Sequence, residues 1–595
     1  MIPGFSLSSG GREAGRRGPA TARLLALLVG LLAIGAFLGL FEAAGFRGKI
    51  GRVFVYLSPT ESLFWFAHLF LLTPGIFLVS WGLAPWLSKR CAAVAAWLCG
   101  GSLTRRRALA VGYGVSLGAL ALLYRHLVLL DLPVTDDEGV VLFGARMIAE
   151  GQVSVPVPEP RQVLPLHYTY VREGRISSFD YPGGLFFTAL SLVTGSGAAL
   201  FALVVGLSSI ALPIAGAALA GRRGALAAAG FWLASPMVFT LSATAHPQLL
   251  SRSLCAVALA AYCVLLRRPR RERLPGALLG ACAGLAFLCR PIESACLLTP
   301  VAAHLSHLAW RKPRRRATWL TVVLAFLPSV AAFGLYNRAV TGSPWVQARF
   351  TPQLAGDFET ELTARLLLGT NLGFNFLMIV VFGLGPLGLL LAGAGLGARG
   401  ISGTIGRTLA AGIALQLAVA LLHPNTGIHV VGPIHYSETA VPLVLLAALG
   451  LREVARGGTA LRLQPDSLRA AALALSATLF AFTAVHSLTL RGQAWTQRLT
   501  LEAIAEQNLS RAVLLTRAPY RLWDLRPELA LTRSHVIYFP PNDPWLRDDV
   551  IVTIDRMPPG FFRAAFPDRD IVRMSYHAED PPIRFELLAR AGERP

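Results

Sequence analysis

Residues 131–138 read Asp-Leu-Pro-Val-Thr-Asp-Asp-Glu, and the last three, Asp136, Asp137 and Glu138, set three carboxylates side by side just after an apolar run. Adjacent like charges cannot all ionise equally, which suits acid–base work. A carboxylate at a water–lipid boundary can take a proton from a hydroxyl or hold a cation. The next stretch, 140–148, has the pattern of a short amphipathic helix with Thr135 or Asp136 as its N-cap. Carboxylates in a first turn are also what a helix dipole favours. Capping and catalysis are both open readings of these residues.

Other chemistry-bearing residues fall at the ends of apolar runs. Arg290 sits between two of them, beside Glu293, where a buried charge needs a partner. Arg252 lies deeper in its own run. The histidines His167, His246, His423, His429 and His435 show no metal-ligand spacing within one segment. A divalent cation held by Asp137 or Glu138 with one of them stays open. The sequence contains no G-x-x-x-x-G-K-[ST], no H-E-x-x-H and no credible G-x-G-x-x-G, so nucleotide-driven transport and zincin chemistry have no support.

These residues must be positioned by membrane helices. The chain is 54% hydrophobic and only 15% charged over 595 residues, against about 25% charged in a soluble protein. Candidate spans are 22–41, 62–87, 107–130, 199–220, 224–242, 248–266, 275–289, 292–310, 317–336, 372–396, 407–424, 437–455 and 468–490, about thirteen in all. The net charge of +22 sits in short runs between them: Arg105 to Arg107, Arg222-Arg223, Arg267 to Arg271 and Arg311 to Arg316, with Arg399, Arg407, Arg452, Arg456 and Arg462. All fall on one side, the pattern of the positive-inside rule. A basic face with interleaved aromatics, as nucleic acid would need, is missing. The N-terminus is expected inside, with its first apolar run retained as a helix, and the C-terminus outside. The seven cysteines lie in or beside apolar segments without a C-x-x-C pair, which argues against a disulfide framework.

Two short apolar stretches fall outside this count. Residues 91–99 are too short to span and are expected at the inner interface. Residues 183–193 follow a Tyr-Pro-Gly-Gly turn and are expected to form a helix lying on the outer surface. The expected organisation is an accessory membrane region at 1–106, a membrane core at 107–490 with an outer catalytic loop at 131–198, and an exterior α/β domain at 491–595. In that last part short β-branched runs at 512–515, 535–539, 550–554 and 571–574 alternate with turn clusters.

The order of the motifs resembles the GT-C glycosyltransferases, in the bacterial branch related to protein O-mannosyltransferases and lipid A aminoarabinose transferases. Asp137-Glu138, the helix through Ala145-Arg146 to Glu150-Gly151, and Tyr181-Pro182-Gly183-Gly184 are similar to that family's first outer loop. Further matches are 242–247, Arg290-Pro291-Ile292-Glu293, Tyr336-Asn337, Thr341-Gly342-Ser343-Pro344 and His435-Tyr436. Asn542-Asp543-Pro544 with 549–552 resembles the tails of this group. Val141 stands where an aromatic is common, Gly183 replaces the second proline of a Tyr-Pro-Pro turn, and the two helices before Arg105 are extra to the common core.

The resemblance implies a polytopic α-helical membrane protein with a GT-C-like core. It implies transfer of a sugar from a polyprenyl-phosphate donor to a glycan, lipid or protein acceptor at the outer face of the cytoplasmic membrane. Asp137 falls on the family's aspartate and is expected as the base, with Glu138 orienting it or sharing a cation and Asp136 the competitor by one residue of register. A phosphate leaving group calls for positive charge, for which Arg290 is the leading candidate, followed by Arg252 and Arg146. Tyr181, His167, His246, His435 and Tyr436 complete the expected substrate site. Two readings of other classes remain: a transporter or lipid flippase, and an envelope scaffold whose tail binds a partner. The sequence shows no internal repeat of the kind secondary transporters carry.

Overall fold

The computed structural model describes residues 18–43, 63, 66–159, 169–267, 272–350, 370–421, 428–429, 431–457, 465–516, 541–555, 557–577 and 583–592. The first helices are α1 (Gly18–Ala43), α2 (Thr73–Cys99), α3 (Leu103–Leu127) and α4 (Asp136–Ala149). A three-stranded sheet of β1 (Val155–Pro156), β2 (Thr169–Arg172) and β3 (Arg175–Ser178) follows, in the order β1-β3-β2. Then come α5 (Pro182–Val193), α6 (Ala198–Ala234), α7 (Pro236–Leu241), α8 (Pro247–Arg267), α9 (Arg273–Cys289), α10 (Pro291–Arg311) and α11 (Arg316–Thr341). The core closes with α12 (Thr370–Gly383), α13 (Gly385–Leu396), α14 (Gly400–Leu421), the small pair β4 (Ile428–His429) and β5 (Gly432–Pro433), α15 (Ala440–Ala455) and α16 (Pro465–Glu506).

Each of the thirteen expected spans overlaps a helix. Among the described residues, nine helices are individually long and apolar enough to cross a membrane, or ten if α12 and α13, bent by 94°, form one span. The count of thirteen is therefore not reached. Part of the difference lies in α6, which holds two expected spans on either side of a sharp turn. Gly221 has φ +73°, and a Cβ on Gly224 would lie 2.6 Å from the carbonyl oxygen of Gly216. Residues eight apart in a straight helix are about 12 Å apart, so the chain turns back at Gly221 and its two arms touch backbone to backbone. The remaining shortfall is in α9 and α10, which are shorter or more polar. This is a multi-pass membrane protein.

Residues 91–99 continue α2 rather than forming a separate piece. The expected helix at 183–193 is α5, which buries Leu185, Thr188 and Ala189 and leaves Phe186, Leu190 and Val193 exposed.

The tail holds β6 (Ala512–Thr516), β7 (Val550–Ile554), α17 (Pro559–Ala565), β8 (Asp570–Tyr576) and β9 (Ile583–Ala589). The sheet order is β7-β6-β8-β9, with β6 parallel to both neighbours and β9 antiparallel to β8. Every residue of β6 is buried, as a central strand covered on both faces requires. Val513 and Leu515 meet Phe562 of α17, while Leu514 meets Ala503 and Ile504 at the end of α16. The strands expected at 512–515, 550–554 and 571–574 are present. β9 was not foreseen, and 535–539 lies outside the described residues. The last membrane helix does not stop near Arg491 but continues to Glu506.

Candidate active site

The loop before α4 is built by a local cap. The Oγ1 of Thr135 accepts the amide of Glu138 at 3.3 Å and lies 2.8 Å from Nε2 of the fully buried His246. Glu138 is buried, and its two carboxylate oxygens accept the amides of Val134 and Ala245, each at 2.9 Å. Arg125 lies 3.9 Å from the same carboxylate and donates to the carbonyl of Ala243 at 2.9 Å. Glu138 thus fastens the α4 loop to the turn before α8. Each of its oxygens accepts a protein amide, so its part is to hold the loop. His246 acts in the same fastening. The side chain of Asp136 and all of His167 lie outside the described residues.

Asp137, next to this clamp, is half-buried and within electrostatic reach of Asp180 and Arg349. Asp180 is buried just before α5. Its Oδ1 accepts the amide of Tyr181 at 2.9 Å. Burial raises its carboxyl above the ordinary range; Arg349 and Arg290 oppose that shift and Asp137 adds to it. Arg349 reaches across from the loop after α11. Its guanidinium carbon stands 4.5 Å from the ring centre of Phe179 and 5.3 Å from that of Tyr181. Gln347 fixes that loop by donating to the carbonyl of Phe179 at 2.8 Å and accepting the amide of Arg349 at 2.7 Å.

Behind this pair lies a second layer. Arg290, 2% exposed, caps the end of α9 and donates to Oε1 of Glu293. Nδ1 of His435 is 3.7 Å from that same oxygen. Glu438 is fully buried, with Oε2 3.0 Å from Oγ of Ser437 and within electrostatic reach of Arg290. Nε of Arg290 and Oε2 of Glu293 have no hydrogen-bond partner among the described residues. Tyr436 is buried in the turn before α15.

Five separate segments therefore converge at one end of the bundle: 135–138, 179–181, 290–293, 347–349 and 435–438. This end is opposite the one carrying Arg105–Arg107, Arg222-Arg223, Arg267, Arg311 to Arg316, and Arg452. Tyr181, Arg290, His435 and Asp137 belong to it as expected.

Two expected members bond to other parts of the protein. Arg146, at the far end of α4, donates to the carbonyl of Pro541 in the tail at 2.7 Å instead of reaching this cleft. Arg252 donates to the carbonyls of Met237 and Val238, at 2.7 and 3.2 Å, and to Ser242. It caps the C-terminal end of α7, and Glu438 lies within its electrostatic reach. Asp180, Arg349 and Glu438 were not singled out from the sequence. Asp180 stands directly before the Tyr-Pro motif and Glu438 two residues after His435-Tyr436, both local signals; Arg349 carries none. No group of three metal-ligating side chains occurs among the described residues.

The departure at Gly183 has a steric cause. A Cβ there would lie 2.6 Å from Sγ and 2.7 Å from the backbone nitrogen of Cys289, and one on Gly184 would lie 2.7 Å from the ring of Pro247. The two glycines let the start of α5 rest on the end of α9, beside Arg290, and on the start of α8. A proline at 183 would carry the same Cβ into that contact.

No family model matches the chain, and no curated protein matches it. Among solved structures it is similar to ArnT from Cupriavidus metallidurans bound to undecaprenyl phosphate, at 15% identity and a TM-score of 0.47, covering 83% of this chain and 100% of that one. It is also similar to the arabinofuranosyltransferase AftD from Mycobacteria, at 17% identity and 0.41, covering 80% and 35%. A third is the oligosaccharyltransferase AglB from Archaeoglobus fulgidus in complex with an inhibitory peptide and a dolichol-phosphate, at 12% and 0.39, covering 74% and 64%.

Proposed function

We propose that this chain is a membrane glycosyltransferase of the GT-C kind, moving a sugar from a polyprenyl-phosphate donor to an acceptor hydroxyl at the outer face of the cytoplasmic membrane. The observation that carries this reading is the meeting of Asp137 and Asp180 with Arg349 and Arg290 at the bundle end opposite the arginine runs. The positive-inside rule makes that end the outer one. A donor with a lipid tail must present its sugar where protein meets bilayer, and this site lies at the mouths of apolar helices.

The step follows from the groups present. The acceptor oxygen bonds to the anomeric carbon as the bond from that carbon to the phosphate oxygen breaks. Asp137 takes the acceptor proton, and polyprenyl phosphate leaves with the bonding pair. Its negative charge is met by Arg349 and Arg290. Glu138 holds the loop that aims Asp137. The acceptor is a glycan, lipid or protein; a cation bound by the donor phosphate is compatible with this scheme and not required by it.

The test is sugar transfer from radiolabelled undecaprenyl-phosphate donors in membranes of the source organism. Asp137→Asn is nearly isosteric but cannot accept the proton, and should lower the rate by about two to four orders of magnitude with donor binding intact. Normal transfer by Asp137→Asn with loss in Asp136→Asn would shift the base by one residue. Full activity in both would reduce the loop carboxylates to a helix cap. Movement of the labelled lipid across the membrane without sugar transfer would turn the reading to a flippase.

A further inference from the structure

The far end of α4 is held by the tail. Phe143 and Met147, one turn apart on α4, are buried with Val155 and Ile176, and Trp545 of the tail packs against this group. On the neighbouring face Arg146 donates to the carbonyl of Pro541 at 2.7 Å. One turn on, Glu150 accepts from both Nη atoms of Arg547, with the longer bond at 3.3 Å. The same guanidinium donates to Asp543 through Nε and Nη2, each at 2.8 Å, and lies 4.5 Å from the ring centre of Trp545.

The tail segment that makes these contacts is itself fixed to the sheet. Asn542 imitates a paired strand, its amide donating to the carbonyl of Val552 at 2.9 Å and its oxygen accepting that residue's amide at 3.0 Å. Arg569 donates to the carbonyls of Leu546, Asp548 and Asp549. Leu546 is held at φ +56°, a conformation unfavourable for a branched residue and kept by these surroundings. The other end of α4 is also tied to the C-terminal part: Gln493 of α16 donates to the carbonyl of Val134 at 3.1 Å.

We infer that the tail domain is a positioning element for the catalytic loop, with Trp545, Arg547 and Glu150 setting the angle of α4 and so the placement of Asp137. This rests on the function proposed above. A helix is stiff along its axis, and Asp137 lies roughly 15 Å along α4 from the clasped residues at 1.5 Å per residue. A tilt of about 5° at the clasp displaces Asp137 by about 1 Å, an error that costs on the order of 100-fold in rate when a reacting group is misplaced. The clasp touches neither of the guanidinium groups assigned to the donor phosphate, so its loss should act on turnover and spare donor binding.

The experiment compares the full chain in lipid nanodiscs with Glu150→Arg, Trp545→Ala and Trp545→Phe. Two quantities are read: amide hydrogen exchange over 136–149, and release of undecaprenyl phosphate from labelled undecaprenyl-phosphate mannose, glucose and arabinose with source-organism membranes as acceptor. Glu150 is exposed enough for the charge reversal to leave folding intact. Glu150→Arg and Trp545→Ala are expected to speed exchange in α4 and lower kcat about 10- to 100-fold, with donor KM within about 2-fold of the parent. Trp545→Phe, which keeps an aromatic in the Phe143–Met147 group, should recover most of kcat. Unchanged exchange in α4, or faster exchange at full kcat, or an effect on KM alone, would overturn the positioning role while leaving the proposed activity standing. A parent chain that releases undecaprenyl phosphate from none of the three donors overturns the proposed activity, and the catalytic role of the clasp with it.

Discussion

The guanidinium of Arg290 and the carboxylate of Glu293, three residues apart across the start of α10, are paired with almost no contact with water. The pair is internal, and Glu438 places a second carboxylate near the same cation. Arg290 therefore has two tasks: it neutralises buried acids and stands behind Arg349 at the site.

Removing the cation should first be felt as instability. Arg290→Ala leaves Glu293 and Glu438 without their counter-charge, a loss on the order of 3–5 kcal/mol for a broken buried pair. Thermal unfolding in detergent should show a large drop in Tm for Arg290→Ala and a smaller one for the double variant Arg290→Met/Glu293→Leu. Arg290→Lys should restore folding while donor use recovers only in part, because a point charge replaces a planar fork. Equal stability of Arg290→Ala and the parent would mean that the acids are neutral in the fold.

Asp180 should give the fold a pH dependence of definite sign. Burial raises its carboxyl, Arg349 offsets part of the shift, and Asp137 adds to it. The folded chain holds the proton more tightly than the unfolded chain, whose value is about 3.9. Its stabilising contribution is complete below that value and is lost as pH rises through the raised folded one. Asp180→Asn should flatten the fall in Tm as pH rises above about 3.9. An unchanged slope would assign the dependence to another group.

Gly183→Ala tests the close packing of α5. The added methyl meets both Sγ and the backbone nitrogen of Cys289, so it should cost about 1–3 kcal/mol. Adding Cys289→Ala should not restore stability, since the backbone remains in the way. Full rescue by that second change would show that only the sulfur is crowded.

What could be read from the sequence was local. Thr135 and Glu138 stand three apart, the spacing of a capping box, and the cap forms where that spacing puts it, although the carboxylate reaches the amide of Val134 rather than that of Thr135. The strands expected at 512–515 and 550–554 were legible as short apolar runs set between turn clusters. Arg349 was not, because it is brought to the site by the folding back of a distant loop; Glu438 was passed over although it stands two residues after the expected His435-Tyr436. The carbonyls that Arg146 and Arg252 meet were not legible either, because helical position does not tell which ones a long side chain will reach. The break between the expected spans 199–220 and 224–242 was legible, and the chain turns back at Gly221 between them.

Helix α16, at 42 residues, is about 63 Å long at 1.5 Å per residue, roughly twice the hydrocarbon thickness of a bilayer. Its apolar part, 468–490, is continued by the polar stretch 491–506, which leads to the tail sheet. A span whose apolar length exceeds the local bilayer tilts to fit it. Since this polar stretch and the span are one unbroken helix, no joint absorbs that tilt. Over roughly 24 Å from Arg491 to Glu506 a few degrees at the membrane become an ångström or two at the sheet. The thickness of the surrounding lipid is thus an input to the geometry at the top of the molecule, and chain-length-defined bilayers are a dial on it.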